Sequence, residues 1–417
     1  MSTNELRQKF IDYYKAKDHL HIPSYPIVPK DDKTTLFVSS GMQPMLPYFL
    51  GEPHPSGKTR IVDSQKCFRA VDIDEVGDNQ HTTFFEMLGN WSFGDYWKED
   101  QLRWIFSFLL DELKMDINKL FITVFDGDEE NKVPRDEESA QIWQTLFKER
   151  GVEAKIGERI FYHGADKNWW SREGSPAEMT IGEPGGPDSE IFYRFDDGSE
   201  LEICNSVFMQ YKKVGEGKFE PLPKKNVDFG AGLERLAAAL NNDSDVFKID
   251  LFWPLIEEIS KSTEKPYEGE NKAPMQVITD HLRAATMMIL EGVLPANKLA
   301  GYILRRLIRR SAVKYYELMG SADFDSSPLC NKVLETYNIT DESSKNLANS
   351  AMTEEIQKFT LTLEKGLKEF QRLSPFDLYQ SYGFPVEITK EIMDKKGIKF
   401  DLAEFEAQKK KHLEASK

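Results

Sequence analysis

The sequence is 417 residues long, 40% hydrophobic and 12% aromatic, which is enough for two or three domains with real cores. It has no run of about 18 apolar residues and no basic-then-apolar leader, so a soluble cytoplasmic protein without a membrane segment is expected. Three scattered cysteines, seven histidines without zinc-ligand spacing and a formal charge of −16 argue against a disulfide framework, a structural zinc and indiscriminate nucleic-acid binding.

In chain order, Leu6, Phe10, Tyr13 and Tyr14 have near-helical spacing and predict an opening helix over Asn4–Lys17, with Asn4 as N-cap. A proline-broken stretch, Pro23–Pro29, precedes an apolar segment, Thr34–Ser39, and a loop region, Gly41–Gly51. Ile61–Arg69 and Thr82–Met87 read as strands joined by a polar, Asp-rich connection, and Gly89, Asn90 and Gly94 punctuate the chain after the second strand. Helices are expected over Gln101–Leu113 and Glu138–Arg150, the second ended by Gly151, with a strand between them at Leu120–Phe125. From Gly157 to Gly217 short β-like runs, Glu190–Phe195 and Leu201–Tyr211, imply a mainly antiparallel sheet, and Gly182–Glu190 reads as a rigid loop. Val227–Arg235 reads as a strand passing through glycines into a helix, where Gly230 and Gly232 admit close approach of backbone or ligand. Beyond the polar turn Asn241–Asp245 the pattern is helical: Ile249–Ser260, Met275–Glu291, Lys298–Met319 and Met352–Arg372. The fold class is therefore α+β, with an antiparallel sheet flanked by helices over residues 1–241 and an all-helical domain over 242–417. Lys409–Lys411 reads as a solvated helix face.

The least generic stretch is His81–Lys98. An arginine leaving one strand and paired phenylalanines entering the next suit an aromatic ring that carries phosphates, because a guanidinium forks onto phosphate and a phenyl ring offers its face to a base. A core hairpin with merely packing phenylalanines fits the same residues. Asp228, at the end of a glycine-bearing strand, suits either a ligand ammonium or the cap of the next helix. At 100° per residue Arg305, Arg306, Arg309 and Arg310 share one arc of their helix and Ile303, Leu304, Leu307 and Ile308 the other. That arc is expected to be strongly cationic and to contact a phosphate backbone, the alternative being a face salt-bridged to neighbouring acids.

Taken together these stretches resemble the N-terminal part of the alanyl-tRNA synthetases, a family of class II aminoacyl-tRNA synthetases. The resemblance rests on His81–Lys98, Cys67-Phe68-Arg69, Glu202–Gln210, Val227–Arg235, Asp280-His281-Leu282-Arg283, Gly301–Arg310 and Tyr382-Gly383-Phe384-Pro385, in family order over almost the whole chain. It implies an ATP- and Mg²⁺-dependent alanine–tRNA ligase that forms alanyl-adenylate and passes the alanyl group to tRNA-Ala, with no zinc in this portion. Arg69 matches the arginine on the α-phosphate, Phe85 the ring stacked on adenine and Arg235 the arginine near the γ-phosphate. His81 and Glu202 complete the nucleotide set, Glu202 as a candidate magnesium ligand. Asp228 matches the carboxylate that pairs with the alanine ammonium, and Trp170, Asn205, Val207 and Gly230 form its pocket. Asn297 matches the asparagine that reads a G·U pair in the acceptor stem, and Gln380 stands where its aspartate partner is usual. Further departures are Gln80, Cys204, Ala231 and Ala300. The chain stops before the family's editing and dimerising domains would begin, so an editing-free monomer is expected. An enzyme loading an amino acid onto a carrier protein and a non-catalytic RNA-binding module are the competing functions.

Overall fold

The computed structural model describes residues 1–29, 35–370 and 372–415. The chain forms two compact units, Met1–Arg69 with Phe85–Asp250, and Ala70–Phe84 with Leu251–Lys417.

The first unit opens with α1 (Thr3–Lys15), which starts ahead of the predicted Asn4 because Ser2 and Glu5 form a capping box that satisfies donors at both positions. The short strand β1 (Leu20–His21) runs parallel to β2 (Arg60–Phe68), and the single helical turn α2 (Leu46–Phe49) lies between them in sequence. Of the predicted apolar segment, Thr34 lies outside the described residues and the remainder forms no strand. Then follow β3 (Phe84–Phe93), α3 (Lys98–Ser107), β4 (Leu120–Phe125) and α4 (Glu137–Glu149). The chain continues through β5 (Ile160–His163), β6 (Trp169–Ser171), β7 (Pro184–Arg194), β8 (Glu200–Gly215), β9 (Lys218–Gly232) and α5 (Leu233–Leu240). The sheet order is β1-β2-β3-β9-β8-β7-β4-β5, with β6 on β7. The central pairs β3/β9, β9/β8, β8/β7 and β7/β4 are antiparallel, whereas β4/β5 is parallel.

Two expectations fail here for one reason. Gly89 does not punctuate β3, and Gly182–Glu190 is not a loop from Pro184 onward, since both stretches are strand. In each a glycine makes room for something packed on the pleat. A Cβ at Gly89 would stand 2.3 Å from the Trp91 ring, and one at Gly186 would stand 1.9 Å from the Phe208 carbonyl oxygen. The predicted helix over Gln101–Leu113 is also displaced, with α3 beginning at Lys98 and giving way after Ser107 to a wider π turn at Phe108–Glu112.

The second unit is helical: α6 (Trp253–Thr263), α7 (Lys272–Leu290), α8 (Leu299–Met319), α9 (Ser327–Thr336), α10 (Glu342–Glu369), α11 (Pro375–Tyr382), α12 (Val386–Lys395) and α13 (Leu402–Ala415). Helix α7 is its centre, because every residue from Met275 to Ile289 is buried. Gln371, within the last predicted helix, lies outside the described residues.

Candidate functional site

The candidate alanine residues converge because three central strands are in register. Pairing of β8 with β9 sets Val207 opposite Asp228 and Asn205 opposite Gly230. On the other side of β9, β3 sets Trp91 opposite Asp228 and Gly89 opposite Gly230. Strand alternation then puts Asp228, Val207, Asn205 and Trp91 on one face. The Trp91 Nε1–H donates to Asp228 Oδ1 at 2.7 Å. Val207 and Trp91 belong to one apolar cluster with Met42, and Trp170 packs against it. The floor of the pocket is therefore apolar and carries one acid. Burial pushes the Asp228 carboxyl from its ordinary 3.8 up to about 7, and the Trp91 hydrogen bond pulls the other way. Asn205 Oδ1 is buried without a hydrogen-bond partner among the described residues, so it offers an acceptor to an incoming donor.

At the ends of β2 and β3 the guanidinium of Arg69 lies 4.9 Å from the centre of the Phe85 ring, while Arg69 Nε–H donates to the Ser39 carbonyl at 3.1 Å. The neighbouring Phe84 is fully buried, as strand alternation requires. Arg69, Trp170, Arg172, Ser39 and Met42 line a cleft of about 360 Å³. Arg235, on α5, donates to Glu202 Oε2 at 3.0 Å. His81 falls in the helical unit, where its Nδ1 meets Asp78 Oδ2 at 2.5 Å.

Sequence reading missed two acids of this sheet. Asp188 pairs with Val207 and Glu190 with Asn205 along β7, a placement legible only once the register is known. Burial first and Glu202 second raise Glu190 to about 7, and burial together with Glu190 lifts Asp188 well above the carboxylate range. Among the described residues no three His, Cys, Asp or Glu side chains are grouped as a metal cage. Mg²⁺ carried on a triphosphate needs only one or two protein carboxylates, and Glu202, which pairs with Phe192 two positions along β7 from Glu190, would with Glu190 fit that requirement.

The expected cationic arc on α8 is instead largely consumed within its own unit. Arg306 and Arg310 are 7% and 4% exposed. Arg306 bonds both Asp74 oxygens at 2.7 and 2.8 Å, and Arg310 bonds Glu391 at 2.9 Å and the Ile73 carbonyl at 2.6 Å. Arg309 bonds Glu355 at 2.7 Å and the Gly383 carbonyl. For these three arginines the salt-bridged alternative holds, because helix packing brings Asp74, Glu355 and Glu391 to the arc. Arg305 stays partly exposed, pairs with Glu355 at 3.2 Å and donates to the exposed Asn297. Gln380 is exposed on α11, with its Nε2 at 3.2 Å from His412 Nδ1.

A sequence model of the family described as tRNA synthetases class II (A) matches residues 5–417. The chain belongs to this family and is an aminoacyl-tRNA synthetase, so the non-catalytic reading falls away. Its relatives specify the member. The chain is 40% identical to an alanine–tRNA ligase of Borrelia hermsii, over 100% of this chain and 73% of that protein. It is 38% identical to an alanine–tRNA ligase of Treponema pallidum, over 99% and 72%. Against an alanine–tRNA ligase of Thermus thermophilus it is 36% identical, over 97% of this chain and 48% of that protein. No described helix is long and apolar enough to cross a membrane.

Proposed function

We propose that this chain activates alanine with ATP and transfers the product to the 3′ end of tRNA-Ala. In the first step an alanine carboxylate oxygen attacks the α-phosphorus of ATP. The bond to the bridging oxygen breaks, pyrophosphate leaves with the electron pair, and alanyl-adenylate forms. No protein nucleophile is needed, so the residues act by positioning and by neutralising charge. Phe85 offers its face to adenine and Arg69 reaches the α-phosphate, while Arg235 addresses the γ-phosphate after leaving Glu202. Glu202 and Glu190 would hold Mg²⁺, which neutralises charge on the departing pyrophosphate when bound. Asp228 pairs with the ammonium and Val207 meets the methyl group. In the second step the terminal ribose hydroxyl of tRNA attacks the alanyl carbonyl and AMP departs. Asn297, Arg305 and Gln380 supply the exposed polar groups proposed to meet the acceptor stem.

The observation that carries this reading is the buried acid Asp228, held by Trp91 on an apolar floor beside Val207. An isolated buried carboxylate is costly, and a bound ammonium is the partner that offsets the cost. Alanine-dependent ATP–pyrophosphate exchange tests the proposal. Exchange is expected with alanine, with Arg69→Ala lowering it about 10² to 10³-fold as for loss of one charge-stabilising donor. Absence of alanine-dependent exchange would sink the proposal, and a near-normal Arg69→Ala rate would remove that residue's role.

A further inference from the structure

The segment Ala70–Phe84 joins β2 to β3, and its covalent neighbours are Arg69 and Phe85. Its own apolar content is small, since Ile73, Val76 and Phe84 are buried while Val71 is 84% exposed. What holds it is a set of polar bonds from α7 and α8. The Thr83 N–H and O–H both donate to Asp280, at 2.8 and 2.6 Å. Arg283 donates to the Phe84 carbonyl at 2.7 Å, and Gln276 to Asn79 at 2.7 Å. At the other end Arg310 donates to the Ile73 carbonyl at 2.6 Å. His281 closes the circuit, with its Nδ1 at 2.9 Å from Asp280 and its Nε2 at 2.9 Å from Arg310. Both neighbours are satisfied by one neutral tautomer, in which Nδ1–H donates to the carboxylate and Nε2 accepts from the guanidinium. Burial keeps the ring in that neutral form by lowering its pKa to about 4, against the Asp280 hydrogen bond that raises it.

The circuit Thr83–Asp280–His281–Arg310–Ile73 thus ties the two ends of one loop to adjacent helices. Asp280 and His281 are fully buried. Joining two helices does not require a buried acid, because apolar packing of similar volume does so at lower desolvation cost. The polar circuit adds direction: it fixes where the loop's backbone starts and ends.

We propose that Asp280 is a positioning residue for ATP, holding the ends of Ala70–Phe84 so that Arg69 and Phe85 emerge at the separation the nucleotide needs. The proposal rests on the assignment of those two residues to ATP. Its test is the exchange reaction of the full chain, with KM measured separately for ATP and for alanine in Asp280→Asn, Thr83→Ala and Thr83→Ser. Asp280→Asn keeps the volume but sets an amide N–H against one of the donors it faced. Its ATP KM is expected to rise about tenfold, a fraction of what a misplacement near 1 Å costs, with the alanine KM changing less than about twofold. Thr83→Ala is expected to raise the ATP KM about threefold and Thr83→Ser to restore it, since serine retains the hydroxyl donor. A rise of both KM values together, or an unchanged ATP KM in folded Thr83→Ala, overturns the proposal. Arg69→Ala run in parallel separates the two levels: if it leaves the ATP KM at the parent value, the ATP assignment itself is wrong.

Discussion

At the scale of single residues the proposed alanine site turns on Asp228. Its carboxyl is raised from 3.8 to about 7 by burial, with only the Trp91 hydrogen bond opposing. An acid raised in the folded state keeps its proton while the unfolded chain has already lost it. Folding stability therefore falls as pH rises from about 4 to about 7, and is not lost on acidification through this group. On the proposed pairing of Asp228 with the alanine ammonium, alanine binding has the opposite trend, because only the ionised carboxylate pairs with an ammonium. We expect kcat/KM for alanine in the exchange reaction to fall below pH about 7, and the profile to report the free enzyme. Glu190 also titrates at about 7, so the break should persist in Glu190→Gln. In Asp228→Asn the decline of the melting temperature between pH 5 and pH 7 should be smaller than in the parent, the remainder coming from Glu190 and Asp188, which burial also raises. A decline of parental size in that variant would assign the titration elsewhere.

At the scale of elements, β3 shows how a strand can be built around the group it presents. The Trp91 indole lies over Gly89, where an added Cβ would stand 2.3 and 2.5 Å from ring atoms. Gly89→Ala must push the indole off its seat, and the bond to Asp228 goes with it. Overpacking of this kind costs about 1–3 kcal/mol, so the melting temperature should fall while the alanine KM rises more than the ATP KM. Equal changes in both KM values would mean that Trp91 does not act through Asp228. The same strand marks what the sequence could reveal. The strands that bring Arg69 beside Phe85 were legible, because β-branched and aromatic runs announce strands and alternation sets the buried Phe84 apart from Phe85. The continuation of β3 through Gly89 was not legible, since a glycine that seats a tryptophan looks locally like a glycine that ends a strand. Asp188 and Glu190 were hidden for a related reason: their place beside Val207 and Asn205 depends on register across β7 and β8, which no local pattern carries.

At the scale of the whole molecule, a formal charge of −16 means that tRNA must be met by local positive charge against a repulsive background. Four arginines on α8 suggest ample charge when read as a pattern, but two of them are buried on Asp74, Glu391 and the Ile73 carbonyl. A guanidinium already desolvated against a carboxylate releases no counterion when RNA arrives, so it adds nothing to the salt dependence of binding. Each phosphate truly neutralised contributes about 0.7 to 0.9 to the slope of log K against log salt. Arg305, whose side chain retains 22% exposure against 14% for Arg309, which shares its Glu355 partner, and which touches Asn297, is the member of the set best placed to contribute. Titrations of a tRNA-Ala acceptor stem over a range of salt should therefore give Arg305→Ala a slope smaller by about one unit. Arg306→Ala should leave the slope unchanged while lowering the melting temperature, because it removes a buried, packed side chain and its ion pair with the exposed Asp74, and no phosphate contact. If Arg306→Ala lowers the slope as much as Arg305→Ala, the Arg306–Asp74 pair must open on binding, and α8 would then be a latent cationic face released by RNA.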